Sequence, residues 1–237
     1  MTQQYLRKCQ ILVGNGTSGF DASALRCVFN VNQATVQSPT SAYVRIYNVS
    51  EDSIKKQLSG HRLVIKAGYD GQFGTIFDGD IIQQISSREN AVDTVLELVA
   101  SDGLLAYQSA VTVKTVAAGY TVKDLYGAYL DSMKAQGISE GFTPDFGADA
   151  SPRGRVLYGS TKDYLRDLAW QADCEWAINQ RRLDMVPRRA KLDESKAVVI
   201  NASSGLVGSP QQTQDGINLT VLLNPKITGG QQGSWIK

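Results

Sequence analysis

The stretch Ser41–Ile81, SAYVRIYNVSEDSIKKQLSGHRLVIKAGYDGQFGTIFDGDI, decides the fold. Ala42, Val44 and Ile46 fall on one side of an alternating run, and Tyr43, Arg45 and Tyr47 on the other. A period of two marks a half-buried strand. Asn48 breaks the run, Ser50 is a good helix cap, and Ile54 and Leu58 lie four apart on one face of a short helix that Gly60 ends. Leu63, Ile65 and Ala67 resume the alternation. Tyr69-Asp70-Gly71-Gln72-Phe73-Gly74 supplies turn chemistry before Ile76 and Phe77.

The same alternation extends both ways. Tyr5, Cys9, Ile11 and Val13 share one parity before a Gly14-Asn15-Gly16 turn. Leu25, Cys27, Phe29 and Val31 form the next run. Downstream, Ser86 to Asn90 read as a polar turn, and Val92, Thr94, Leu96 and Leu98 as a strand closed by Asp102-Gly103. Six or seven short strands and one brief helix over residues 1–110 predict a small barrel or sandwich. Closing it would remove reactive strand edges.

From about residue 111 the period changes. Thr121 with Asp124 makes an acidic variant of the capping box, and Val122, Leu125, Tyr126, Tyr129, Leu130 and Met133 follow helical spacing up to Gly137. Thr161 to Leu165 echo Thr121 to Leu125, and Leu165, Leu168, Ala169 and Ala172 predict a second buried stripe. Cys174, Trp176 and Ile178, a turn at Asn179-Gln180, then Leu183, Met185 and Pro187 predict a hairpin packed on those helices. Residues 138–159, polar and Gly-rich, read as a surface loop. The aromatic stripe reads as core.

Residues 191–237 return to β patterning. Val198 to Ile200 form a short strand, Ser203-Ser204-Gly205 turns, and residues 209–216 form a loop. Leu219, Val221 and Leu223 form another strand, ended by Asn224-Pro225, and the last nine residues read as flexible. The expected class is therefore mainly β with an α+β insertion, built as small β-barrel or split-barrel domains joined by a helix–hairpin module. The expected division is 1–110, 111–190 and 191–237.

Composition narrows the chemistry. Lys plus Arg number 24 and Asp plus Glu 23, a formal charge of +1, without the basic excess of a general nucleic-acid binder. Arg181-Arg182 with Arg188-Arg189 is the one local basic candidate. The N-terminus lacks the apolar core and cleavage site of a signal peptide, and no run has the length of a membrane span. Cys9, Cys27 and Cys174 have no metal-like spacing; Cys9 and Cys27 are in phase with apolar neighbours and read as buried small hydrophobes. Gly14 to Gly19 lacks the Lys-Ser/Thr pair and following helix of a phosphate loop. A single histidine, His61, gives no basis for zinc and reads as a solvated or edge residue. Gly205 to Ser209 does not match a nucleophile elbow. Asp78 and Asp80, with Asp70, are imaginable hydrolase carboxylates, but their turn-flanking position favours bonds to backbone. No catalytic residue, metal ligand or cofactor site is assigned. Tyr43, Arg45 and Tyr47 are side chains that interfaces favour, and they fit equally well as cross-strand pairs on a wet face.

Several ordered fragments carry a resemblance. They are Val44 to Ser50, Ala67-Gly68-Tyr69, Gly74 to Ile81, Ser204 to Pro210 and Leu222 to Ile227, spanning roughly residues 5 to 227. In content and order they resemble the baseplate hub, or tail hub, proteins of long-tailed bacteriophages. The resemblance implies a non-enzymatic homotrimeric ring joining the tail tube protein above to the spike or tip protein below and continuing the DNA channel. It also implies contacts with other baseplate proteins, DNA only in transit, no membrane insertion, and a place in the virion after assembly in the host cytoplasm. Family members ordinarily continue past Asn224-Pro225-Lys226-Ile227 to finish a second barrel, so the resemblance leaves open whether that barrel is complete in this chain or completed by a partner chain. Two other readings stand beside it: a tail-associated cell-wall hydrolase, and the spike base of a contractile secretion-type apparatus.

Overall fold

The computed structural model describes residues 6–14, 19–34, 37–57, 61–188, 198–201, 204–214, 216–227 and 233–235. Tyr5, the Asn15-Gly16 turn, Leu58, the Gly60 helix stop, Arg189 and Ser203 lie outside them.

The first part contains β1 (Arg7–Gly14), β2 (Gly19–Asp21), β3 (Cys27–Asn32), β4 (Ser41–Tyr47), α1 (Glu51–Gln57), β5 (Arg62–Tyr69), β6 (Gln72–Arg88) and β7 (Thr94–Ser101). The seven strands make one sheet in the order β2-β1-β5-β6-β7-β4-β3, antiparallel throughout. Its outer strands, β2 and β3, are joined by Ala22–Arg26 alone. Laid flat, seven strands would separate those edges by about 29 Å. Six Cα steps reach about 21 Å. The sheet therefore curls. The Cys27 thiol lies 3.4 Å from the Ala22 carbonyl across that link. The edges do not pair, so the expected closed barrel is instead an open, curled sheet.

Its concave face is the alternating set read from the sequence: Ile11, Val13, Val44, Ile46, Leu63, Ile65, Phe77, Leu96 and Leu98, each at most 1 % exposed. Ile54 of α1 packs against this core, and Ser50 caps α1 by accepting from the Ser53 amide at 3.2 Å. Strand β6 runs 17 residues, through the polar stretch expected to turn. It pairs with β5 in its first half and β7 in its second, with a register shift in each ladder. Such bulges bend a long strand and let the sheet curl. The turn after it is fixed by Asn90, whose side chain accepts from the Val92 and Asp93 amides, leaving Val92 85 % exposed and outside the strand. Leu25 likewise lies in the β2–β3 link, ahead of the strand it was expected to start. Cys9, expected inside, is exposed because β1 begins before the core does, while Cys27 is half-buried and Cys174 buried.

The second part continues with α2 (Leu104–Ser109), β8 (Val111–Val116), α3 (Val122–Lys134), β9 (Ser139–Glu140), β10 (Arg155–Ser160), α4 (Thr161–Gln171), β11 (Cys174–Asn179) and β12 (Arg182–Pro187). Both sides of the α3 capping box are present: Thr121 accepts from the Asp124 amide, and Asp124 from the Thr121 amide at 2.8 Å. The echo at Thr161 is not a second cap. Thr161 is the first residue of α4, fully buried, and its hydroxyl meets that of Thr112 at 2.9 Å. The stretch read as a loop holds two strands: β10 pairs with β8, and β9 runs parallel to β12. Its glycines and prolines masked the alternation Val156, Leu157, Tyr158, in which Leu157 is fully buried. Leu125, Tyr129, Met133, Leu157, Leu165, Trp176, Leu183 and Met185 form a core separate from that of the sheet. Tyr129 stacks on Tyr164 with centroids 5.4 Å apart, and Tyr107 of α2 stacks on Trp176 at 6.0 Å.

The last part holds β13 (Val198–Ile200), β14 (Leu206–Gln212), β15 (Ile217–Val221) and β16 (Gly233–Trp235). β13 pairs parallel with β16, which occupies part of the end expected to be flexible. β14 pairs with β15, so part of the expected 209–216 loop is strand. Among the described residues neither pair joins the seven-stranded sheet, but Pro225 rests on Gly74, where a Cβ would come within 3.0 Å of it.

Candidate functional site

Tyr43 and Arg45 lie on the convex face of the sheet. Arg45 donates to Glu97 at 2.6 and 2.9 Å and to the Tyr43 hydroxyl at 3.0 Å. These bonds hold the Glu97 carboxyl below its usual range and keep the guanidinium charged. In the registers, Val28 faces Arg45, Arg45 faces Glu97 and Glu97 faces Ile85. One row across four strands thus has an ion pair at its centre and exposed apolar ends, Val28 at 50 % and Ile85 at 43 %. Tyr47 is not part of that exposed row. It is buried beneath the Arg26 guanidinium, 4.5 Å from the ring centroid.

The imagined carboxylate set is taken up otherwise. Asp70 pairs with Lys8 at 2.5 Å, and Asp78 binds Arg62 in a two-bond fork at 2.6 and 2.8 Å. Asp80 accepts from Arg181, whose Nε is 3.6 Å from Asp78. Asp78 and Asp80 share a face of β6, but they sit mid-strand, not beside a turn, and their partners are guanidinium groups, not backbone. His61 is exposed at the start of β5. No group of three metal-ligating side chains occurs among the described residues.

Arg181 belongs to a junction that sequence reading missed. The β11–β12 turn has Gln180 and Arg181 at its centre, one residue later than expected, both with positive φ, 52° and 58°. Two-residue hairpins of this hand favour Asn-Gly, since other side chains are strained there by about 1 kcal/mol or more each. Here the side chains reach the sheet. Asn179 accepts from Thr40 at 3.1 Å and Gln33 at 3.3 Å, and Gln180 donates to the Thr75 carbonyl at 3.0 Å. The Arg181 amide donates to Asp102 at 3.0 Å. Asp102 is 1 % exposed, and burial pushes its carboxyl up to about 7 against the backbone bonds that favour its charge. The adjoining Gly103 has φ +63°, and a Cβ on it would stand 2.6 Å from Ile178. The signal that could have found this junction is a hairpin turn without Asn, Asp or Gly at its centre.

A third feature is the outer face of the β8–β10 ladder. Val111, Val113, Val156 and Tyr158 are 55 to 78 % exposed, and Val113 faces Tyr158 directly. Among the described residues both edges of this ladder are unpaired.

With this geometry in view, the solved structures become informative. The chain superposes on a 43 kDa tail protein of prophage MuSo2 from Shewanella oneidensis with a TM-score of 0.57, at 10 % identity over 87 % of its length. It superposes on a tail protein from Neisseria meningitidis MC58 with a TM-score of 0.56, at 12 % identity over 89 %. The fold is that of phage tail proteins. The chain spans 60 % and 61 % of the length of those two. A PdpA–VgrG complex from Francisella contains a similar chain, at TM-score 0.50 and 8 % identity, of which this one covers 44 %. No family model and no curated protein matches the sequence. The likeness in fold thus comes with little sequence in common. No helix among the described residues is long and apolar enough to cross a membrane.

Proposed function

We propose that this chain is a structural subunit of a phage tail baseplate: a hub protein that forms a trimeric ring, links the tail tube to the central spike, and continues the channel through which DNA passes. The observation that carries this reading is the tail-protein fold extending over 87 % of the chain. Two features of the surface support it. The β8–β10 ladder turns four large apolar side chains outward, and such faces mark contact surfaces. The Val28–Arg45–Glu97–Ile85 row, with Tyr43 bonded to its arginine, combines aromatic and arginine side chains with apolar ends, as interface cores do. The carboxylates a cell-wall hydrolase would draw on are engaged by Arg62 and Arg181, which favours the structural role over that reading.

The test is the absolute mass in solution by light scattering across a range of concentrations, with tube and spike proteins offered as partners. A mass near three times 25.7 kDa that survives dilution, and capture of a tube or spike protein, are expected. A strict monomer that binds neither protein overturns the proposal.

A further inference from the structure

The β11–β12 turn is the principal polar contact between the helix–hairpin module and the curled sheet, and its charges do not balance. Three carboxylates, Asp78 and Asp80 of β6 and Asp102 after β7, converge on the Arg181 amide and guanidinium. Arg62 of β5 is the other cation bonded to them, and it is committed to Asp78, while Lys66 lines the same cavity as Arg62 and Asp78 but, among the described residues, pairs with none of the three carboxylates. Helix α2, which follows Asp102, has no ionisable residue except Tyr107, whose ring stacks on Trp176. With every group ionised, the cluster holds three negative charges against two positive ones. With Asp102 protonated it is neutral. Asp102 is also the most deeply enclosed of the three, at 1 % exposure, while the side chains of Asp78 and Asp80 are 15 % and 34 % exposed. An unbalanced charge is most costly where water is excluded.

We propose that the Asn179–Arg181 turn is a proton-controlled latch: it holds the module firmly on the sheet while Asp102 is neutral and loosens when Asp102 ionises. The neutral acid keeps one carboxyl oxygen to accept from the Arg181 amide, so protonation does not break the contact it regulates. Its strained backbone serves the same end. Gln180 and Arg181 stay in the left-handed region because their side chains are held by Thr75, Asp78 and Asp80. Ionising Asp102 strengthens its own bond to the Arg181 amide, so the drive to open is the cost of a charged carboxylate held out of water, to which the strain at Gln180 and Arg181 adds.

The linkage has a definite sign. Burial raises the Asp102 pKa in the docked state to about 7, above its ordinary value near 3.8. The docking it favours is therefore fully present below about pH 4 and is lost as pH rises through about 7. Hydrogen–deuterium exchange of the 174–187 amides, corrected for intrinsic exchange, measures the opening directly. Between pH 5 and pH 8 the opening constant of the full chain should rise on the order of tenfold or more. Asp102→Asn, which keeps an accepting oxygen but cannot ionise, should remove that slope. Gln180→Ala should raise opening at every pH and leave the slope in place. A pH-independent wild type, or an undiminished slope in Asp102→Asn, overturns the latch. If Asp102→Asn does not fold, the carbon-13 titration of the Asp102 carboxyl in the wild type decides. A midpoint near 7 supports the proposal, and one in the ordinary carboxylate range overturns it.

Discussion

At the scale of single residues, the module junction makes sharp demands. Gly103 combines a positive φ with a Cβ position 2.6 Å from Ile178 and 3.2 Å from Ile138. Gly103→Ala should lower the unfolding free energy by about 2 kcal/mol, from left-handed strain and overpacking together, measured by urea denaturation. The two turn residues separate strain from contact. Gln180→Gly removes the strain and one bond to a carbonyl, two effects of about 1 kcal/mol and opposite sign, so it should be nearly neutral. Arg181→Gly removes the same strain but strands Asp80 and leaves Asp78 with Arg62 alone. It should destabilise by about 1–3 kcal/mol, discounted because Asp80 is partly solvated. Equal effects of the two glycines would mean that the guanidinium contributes nothing to the junction.

At the scale of elements, what the sequence disclosed depended on whether neighbours or partners decide the conformation. Helix α3 was readable because its cap and its apolar stripe are local, and Thr121→Ala should cost about 1 kcal/mol by thermal unfolding. The core-lining positions of β1, β4, β5 and β7 were readable because one face of each meets water and the other the core, which writes the period into the residues. Strands β9, β10 and β14 were missed because pairing, not periodicity, makes them strands; only Leu157 of β10 is fully buried, and β14 is exposed along most of its length. The long β6 was cut short for a related reason: its distal half is polar and rests on a ladder with β7. Thr161 repeats Thr121 in letters only, since its fate was set by Thr112 on a strand far away in sequence. Of the candidate surface residues, Tyr43 and Arg45 were placed correctly on the wet face by parity alone. Tyr47 has the same parity but is covered by Arg26, a contact made by the link that curls the sheet. The junction at Asp102 and Arg181 joins residues 79 apart in the chain, a pairing that no single stretch could announce.

At the scale of the whole molecule, the question is what would hold copies of the chain in a ring. The formal charge is +1, so long-range attraction between identical copies is not available as a driving force. Several exposed charged groups are already paired within the chain, Arg45 with Glu97 and Lys8 with Asp70 among them. Apolar side chains left outward on β3, β6, β8 and β10 are the unspent resource. Association of the proposed trimer should therefore rest on burying those faces, which salt strengthens slightly or leaves alone, whereas exposed ion pairs weaken as the Debye length shrinks to about 3 Å near 1 M salt. We expect the mass by light scattering to stay near three times 25.7 kDa between about 0.1 and 1 M sodium chloride. Tyr43→Ala, which trims a partly exposed ring from the row around Arg45, should shift the dissociation midpoint to higher protein concentration by more than the loss of about 1 kcal/mol in monomer unfolding that its broken bond to Arg45 brings. A ring that falls apart in salt would assign its cohesion to charge pairs between copies instead. A mass unaffected by Tyr43→Ala at every dilution would move the contact away from the convex face of the sheet.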